Sequence, residues 1–204
     1  WDGYLDVWGL GHYGRVPVEE LHKLRGAGDT IWWTTDGQMC TDTPYCAVER
    51  LLPHYCFEYD AEAYEFWGID WLTYNPWEFG WHSYIHQSGE PGKFRWVRYP
   101  NGDGFLAYPG GPIGREGPVS SVRLEQAREG VEDYEYLYLL RHLVMRAKAA
   151  GKDVTQAEEA LAQAGDLVTI PNAGGRYSTK ILPNPDAVLE VKEAVARAIE
   201  GLRR

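Results

Sequence analysis

GDGFLAYPGGPIGREGPVSSVRLEQAREGVEDYEYLYLL, residues 102–140, is the stretch that decides how this chain is built. Its glycines, with Pro109, Pro112 and Pro118, mark a hairpin-like loop. Phe105, Leu106 and Tyr108 read as a short extended segment within it. Ser120 or Ser121 can cap a following helix by accepting from its free N–H groups. Beyond them Leu124, Ala127, Val131, Tyr134 and Tyr138 recur at alternating steps of three and four. That spacing predicts a helix over 121–149 with those residues on its buried face.

Upstream, three strand–helix units follow one another. Strands are expected at 4–8, 30–35 and 69–74, with a short helix over 18–25 ending at Gly26-Ala27-Gly28 and helical stretches between Tyr45 and Trp67. Strands alternating with helices imply parallel pairing and an α/β class. Two more helical patterns, near 155–164 and 186–202, finish the chain.

Composition narrows the function. The 204 residues suffice for one domain with a real core, and 44% hydrophobic with 25% charged residues is ordinary for a globular chain. Net charge is −10 and no basic stripe interleaves with aromatics, which argues against nucleic acid as a partner. No apolar run reaches membrane-spanning length, so no membrane partner is expected, and no signal peptide opens the chain. The chain begins at Trp1 rather than Met, just ahead of an expected strand, so it reads as a piece of a longer polypeptide. Nine Trp and fourteen Tyr are many for this length, and a large share lies between Trp67 and Tyr108 among Gly, Pro and Asn. Aromatic rings in such loops suit sugars, whose C–H faces are apolar and whose rims are hydroxyls. The same rings also serve simply as core.

The 102–140 stretch resembles the end of the catalytic domain of glycoside hydrolase family 123, the β-N-acetylgalactosaminidases, and its uncharacterised DUF4091 relatives. The resemblance rests on Gly102-Asp103-Gly104, Tyr108-Pro109-Gly110, Ser121-Val122-Arg123-Leu124-Glu125, Arg128-Glu129-Gly130 and Glu132-Asp133-Tyr134-Glu135-Tyr136-Leu137. Weaker echoes are Asp6-Val7-Trp8, Ile31-Trp32-Trp33 and Asn75 with Trp77. The resemblance implies that residues 1–150 are the last three βα units of a (β/α)8 barrel, with 151–204 a helical extension packed on them. A small, complete α/β domain is the alternative.

A barrel carries its chemistry at the C-terminal ends of its strands. The first strand then offers Trp8 and His12, the second Trp33, and the third Tyr74, Asn75 and Trp77, with Tyr108 closing the aromatic group and Trp81 a further loop residue. Alternation along the first strand puts Asp6 and Trp8 on the barrel interior and Leu5 and Val7 against the helices. Asn75 suits a sugar hydroxyl or acetamido group, and before Pro76 it also suits a turn. Glu132 and Asp133 are adjacent, about 100° apart on a helix, and cannot flank one bond as an acid–base pair. Arg128 is spaced to pair with Glu125 and Glu132 on the helix surface, and these charges are expected to tie the helix to the loop before it.

The resemblance further implies hydrolysis of N-acetylgalactosamine-type glycosides, in which the substrate's acetamido oxygen attacks the anomeric carbon. An adjacent Asp-Glu pair on an earlier strand does the protein's share. No Asp-Glu dipeptide occurs in the 204 residues, so no catalytic residue is expected in this chain and its partners are an amino-sugar glycoside and the upstream part of the same polypeptide. No cofactor is implied. Cys40, Cys46 and Cys56, with His54 nearby, fit no zinc-ribbon spacing, and no metal is expected. A Cys40–Cys46 disulfide suits an exported protein, and free thiols suit the spacing equally.

Overall fold

A computed structural model of the chain describes residues 3–11, 16–34, 47–66, 68–71, 75–78, 82–87, 94–99, 102, 104–170, 182 and 184–204, with 82–87, 94–99 and 47 described as backbone. In chain order these form β1 (Val7–Gly11), α1 (Val18–Ala27), β2 (Thr30–Thr34), α2 (Ala47–Glu58), β3 (Ala63–Glu65), β4 (His82–Gln87), β5 (Phe94–Tyr99), β6 (Ala107–Pro109), β7 (Pro118–Ser120), α3 (Val122–Ala149), α4 (Thr155–Asp166) and α5 (Asp186–Arg203). The fold is mixed α/β, with five α-helices and small sheets among the described residues. β1, β2 and β3 form a parallel sheet in that order, while β4–β5 and β6–β7 are antiparallel pairs.

The third parallel strand is not where the apolar run 69–74 suggests. It is Ala63–Glu65, three residues that pair Trp32 with Ala63 and Trp33 with Tyr64. Asp70 instead makes an isolated antiparallel bridge to Phe105, and 72–74 lie outside the described residues. Backbone contact explains the difference. Trp71 N donates to Gly104 O at 2.8 Å and Leu106 N to Ile69 O at 2.9 Å, so 69–71 is held by the 104–106 segment rather than by the sheet. Both Gly68 and Gly104 have positive φ here, and a Cβ on Gly68 would lie 2.3 Å from Gly104 O. Only glycines permit this crossing.

Sheet register sets the two faces. Trp8 and Leu10 share a face with their partners Ile31 and Trp33, and this face packs against Leu21 and Leu24 of α1 and Val48, Leu51 and Leu52 of α2. On the opposite face Val7 is 48% exposed and Trp32, between Gly9 and Ala63, is 43% exposed. The assignment of Leu5 and Val7 to the helix side is therefore reversed. Trp8 belongs to the helix-covered face, where Leu5 and Val7 would have to be for it to look inward.

α3 is the longest element, and both of its ends are legible. Ser121 caps it, its hydroxyl accepting from Leu124 N at 3.2 Å while donating to Leu106 O. Arg146 and Lys148 sit in the last turn, where cations complement the helix dipole. Its buried residues are Arg123, Gly130, Asp133, Leu137, Leu140, Val144 and Ala147, not the stripe expected from Leu124 to Tyr138, of which Val131 and Tyr138 are exposed. The steps from Gly130 onward alternate three and four, so the period is as expected and the face is rotated by one residue.

Leu137, Leu140, Val144 and Ala147 pack with Ala157, Ala160 and Ala164 of α4 and Val191, Val195 and Ala198 of α5. Small residues on α4 let the three axes approach closely. Each fully buried Leu or Val here contributes roughly 1.5–3 kcal/mol. α2 and α3 meet most tightly at Gly130, where a Cβ would stand 2.5 Å from Arg50 O and 3.2 Å from Pro53 Cγ. Tyr59 fixes the chain after α4, donating to Val168 O at 3.0 Å and accepting from Ile170 N at 2.9 Å.

Candidate functional site

The loop after β3, the β6–β7 hairpin and the first turn of α3 bring an aromatic group together. Arg123, 3% exposed, lies at the bottom. Its Nε donates to Phe105 O at 3.0 Å, and its guanidinium carbon sits 4.6 Å from the Phe105 ring centroid and 5.3 Å from that of Tyr108. Phe105 and Tyr108 meet edge to face, 5.4 Å apart at 86°. Tyr108 in turn touches Trp77, 4.8 Å away and tilted by 44°. The order outward is a buried cation, a buried ring, a half-buried ring and an exposed one.

Trp77 is the member that reaches solvent, at 41% exposure. Its indole N–H donates to Pro109 O at 2.7 Å, so its one polar atom is already engaged with the hairpin. What Trp77 presents to solvent is therefore carbon surface in a fixed orientation. Asn75 shapes the turn that delivers it. Its side-chain oxygen accepts from Trp77 N at 3.1 Å, and its amide donates to Glu78 at 3.0 Å. This is a local turn that occupies both ends of the Asn75 side chain.

Of the residues expected from sequence, the structure brings Asn75, Trp77 and Tyr108 together. It separates Trp33 from them. Trp33 is fully buried, edge-on to Tyr55 and Tyr59 at 6.1 Å from each, so no ligand reaches it. Trp8 also lies on the helix-covered face, with its indole N–H donating to Asp29 at 2.9 Å. Both corrections have one cause: strand alternation distinguishes two faces without saying which the helices cover. His12, Tyr74 and Trp81, like Cys40 and Cys46, fall outside the described residues.

Arg123, the floor of the group, was not among the site residues expected from sequence. A signal was available, because Arg123 stands seven residues before Gly130 on the same helical stripe. A charged residue on a core stripe is easily dismissed as surface.

A second cluster of charges joins α2, α3 and α5. Asp133, 4% exposed, lies 2.7 Å from Arg50 and 3.1 Å from Lys192, with His54 at 3.9 Å. Glu129 adds contacts of 3.5 Å to Arg50 and 3.0 Å to Lys192. Burial pushes the His54 imidazole down to about 4, with Arg50 and Lys192 acting in the same sense and Asp133 opposing them. Burial depresses Lys192, and its bonds to Glu129 and Asp133 more than offset that, leaving it above its usual value. The pocket beside His54, Asp133 and Lys192 measures about 10 Å³, room for one water and not for a sugar. Asp133 therefore ties helices together, while Glu125, which accepts from the Ser120 hydroxyl at 2.5 Å, ties the start of α3 to the strand before it. Arg128 does pair with Glu125 at 2.9 Å and Glu132 at 2.6 Å on the helix surface.

Cys56 is a buried free thiol facing Ala63 O at 3.7 Å, and burial pushes it up to about 12, which leaves it unreactive. Among the described residues no group of three or more His, Cys, Asp or Glu could hold a metal ion, and no helix is long and apolar enough to cross a membrane.

Comparison with known proteins adds the family context. The family model for the catalytic domain of glycoside hydrolase 123 matches residues 43–140. No curated protein matches the chain. The solved structure of a family 123 glycoside hydrolase from Clostridium perfringens, studied for glycolipid glycan hydrolysis, superposes with a TM-score of 0.55 at 14% identity. That likeness, which at this identity is one of fold, covers 97% of this chain and 32% of the solved one, so the chain spans about a third of its length. The resemblance to glycoside hydrolase family 123 carried by residues 102–140 is thus shown, in sequence over residues 43–140 and in fold over nearly all of the chain.

Proposed function

We propose that this chain is the C-terminal portion of a glycosidase barrel and supplies an aromatic wall to its sugar site. The substrate class is a terminal N-acetylgalactosamine-type glycoside. The open face of the parallel sheet, with Val7 and Trp32 exposed opposite the helices, is what the interior of an incomplete (β/α)8 barrel would look like. Trp77 lies on the loop that follows the C-terminal end of β3, the end at which barrels do chemistry.

One observation carries the reading: an indole whose N–H is bonded to Pro109 O and whose exposed remainder is rigid carbon surface. Such a surface matches the C–H face of a pyranose, and a contact on the scale of an aromatic–aromatic pair is worth about 0.5–1.5 kcal/mol beyond area burial. Catalysis would be substrate-assisted and retaining. The 2-acetamido oxygen attacks the anomeric carbon as the glycosidic bond breaks, and a carboxylic acid protonates the departing oxygen. Water, activated by the same carboxylate, then opens the oxazoline. The Asp-Glu pair for these steps would come from the upstream part of the polypeptide, since this chain contains no such dipeptide.

The test is Trp77→Ala in the complete polypeptide, assayed on an aryl N-acetyl-β-galactosaminide. A lost contact of about 1 kcal/mol raises KM on the order of fivefold. Unchanged kinetics would remove Trp77 from the site. A second reading is a non-catalytic sugar-binding protein on a decayed barrel, whose complete polypeptide would lack the Asp-Glu pair. It predicts sugar binding without hydrolysis in that polypeptide.

A further inference from the structure

Arg123 stands where neither helix stability nor solvation favours it. It is in the first turn of α3, directly after the Ser121 cap and Val122. Cations there oppose the helix dipole, which prefers acidic side chains at this end. It is also 3% exposed, and a buried cation is costly unless its surroundings compensate. Its surroundings are specific. Arg123 Nε donates to Phe105 O at 3.0 Å, one residue before the Leu106 carbonyl that accepts from Ser121. The same guanidinium lies over both the Phe105 and Tyr108 rings, within the reach of cation–π attraction.

Two consecutive carbonyls are thus held by one turn of helix, and the two rings beside them, at 86° to each other, both lie within reach of one guanidinium. Phe105 is fully buried, so its ring cannot turn to follow a displaced Tyr108. Tyr108 contacts Trp77, and the peptide oxygen that follows it, Pro109 O, accepts from the Trp77 indole. A shift of Tyr108 or of the Pro109 carbonyl moves the exposed ring directly.

We infer that Arg123 is a positioning residue for the sugar-binding wall: it sets the pose of Trp77 through Phe105 and Tyr108 without touching the sugar. This rests on the reading of Trp77 given above. The guanidinium bonds the Phe105 carbonyl through Nε while its central carbon reaches both rings, and the compact, strongly hydrated point charge of an ammonium does not reproduce that arrangement. Lysine should therefore fail here although it keeps the charge.

The experiment is a double-mutant cycle in the complete polypeptide, with hydrolysis of an aryl N-acetyl-β-galactosaminide as the readout. Arg123→Lys is expected to raise KM about threefold to fivefold with kcat within twofold. On a Trp77→Ala background the same change should add nothing, because the ring it positions is gone. A merely structural Arg123 would lower the melting temperature and leave KM alone, or would raise KM equally in both backgrounds; either result overturns the inference. If Arg123→Lys does not fold, Phe105→Leu removes one of the two rings beside the guanidinium, and it must raise KM on the wild-type background only. An unchanged KM for Phe105→Leu then overturns the inference. If Trp77→Ala alone changes KM and the Arg123 and Phe105 variants do not, the positioning role fails while the sugar-wall reading stands. If Trp77→Ala changes nothing, both fall.

Discussion

Asp133→Asn should destabilise the fold by about 3 kcal/mol, and the number follows from what remains after the charge is removed. Arg50, with 7% of its side chain exposed, loses a partner at 2.7 Å, and Lys192, 29% exposed, loses one at 3.1 Å. Breaking a buried ion pair by deleting one partner costs roughly 3–5 kcal/mol, because the other charge is left uncompensated in a poor solvent. The lower end applies. Glu129 stays within 3.5 Å of Arg50 and 3.0 Å of Lys192, and Lys192 keeps some water. In urea, with a slope of about 2 kcal/mol per molar, the midpoint should fall by about 1.5 M. Glu129→Gln supplies the internal comparison. Its side chain is 31% exposed, so its removal should cost no more than about 1 kcal/mol. Equal midpoints for the two variants, or a loss below about 1 kcal/mol for Asp133→Asn, would refute the idea that a buried carboxylate fastens α2 and α5 to α3.

Two further perturbations probe the same helical interface. His54 has its imidazole pushed down to about 4 by burial, so the folded chain keeps it neutral while the unfolded chain takes a proton near 6.5. The stability associated with neutral His54 is thus complete above pH 6.5 and drains away as pH falls towards 4, by about 3 kcal/mol in all. Urea midpoints between pH 7 and 4.5 should fall in the wild type and flatten in His54→Gln; parallel curves would show that His54 is not the group responsible. Gly130→Ala would place a methyl 2.5 Å from Arg50 O, and the resulting separation of α2 and α3 should cost about 1–3 kcal/mol despite the better helix former. A stability gain in the melting curve would mean the two helices yield freely at that crossing.

The helix ends were the most legible part of the sequence. Ser121 before a long periodic run gave the start of α3, and the patterns over 155–164 and 186–202 gave α4 and α5 nearly to their ends. The glycine–proline loop gave the β6–β7 hairpin, because turn chemistry is local. What failed depended on partners that one stretch of sequence does not reveal. The buried stripe of α3 runs through Arg123 and Asp133, which look like surface residues until Phe105 O, Arg50 and Lys192 are seen to compensate them. β3 has three residues and ends on Glu65, too short for alternation to register, whereas the longer apolar run after it is claimed by Gly104 and Leu106. The strand pair β4–β5 was read only as an aromatic loop.

The site divides in the same way. Trp77 and Tyr108 were readable as exposed aromatics in a turn-rich loop, and the structure puts them in contact. Trp33 was chosen for its place at a strand end, yet the packing of Tyr55 and Tyr59 on that face buries it completely. Asn75 combines both readings, since it forms the turn and by doing so aims Trp77 outward.

The most direct measurement is a crystal structure of the complete polypeptide with an N-acetylgalactosamine thiazoline, a mimic of the oxazoline, bound. The account predicts pyranose carbons within about 4 Å of the exposed Trp77 ring, with Tyr108 and Arg123 packed behind it and an upstream carboxylate pair at the anomeric carbon. A sugar seated away from Trp77, with that ring still free in solvent, would contradict it.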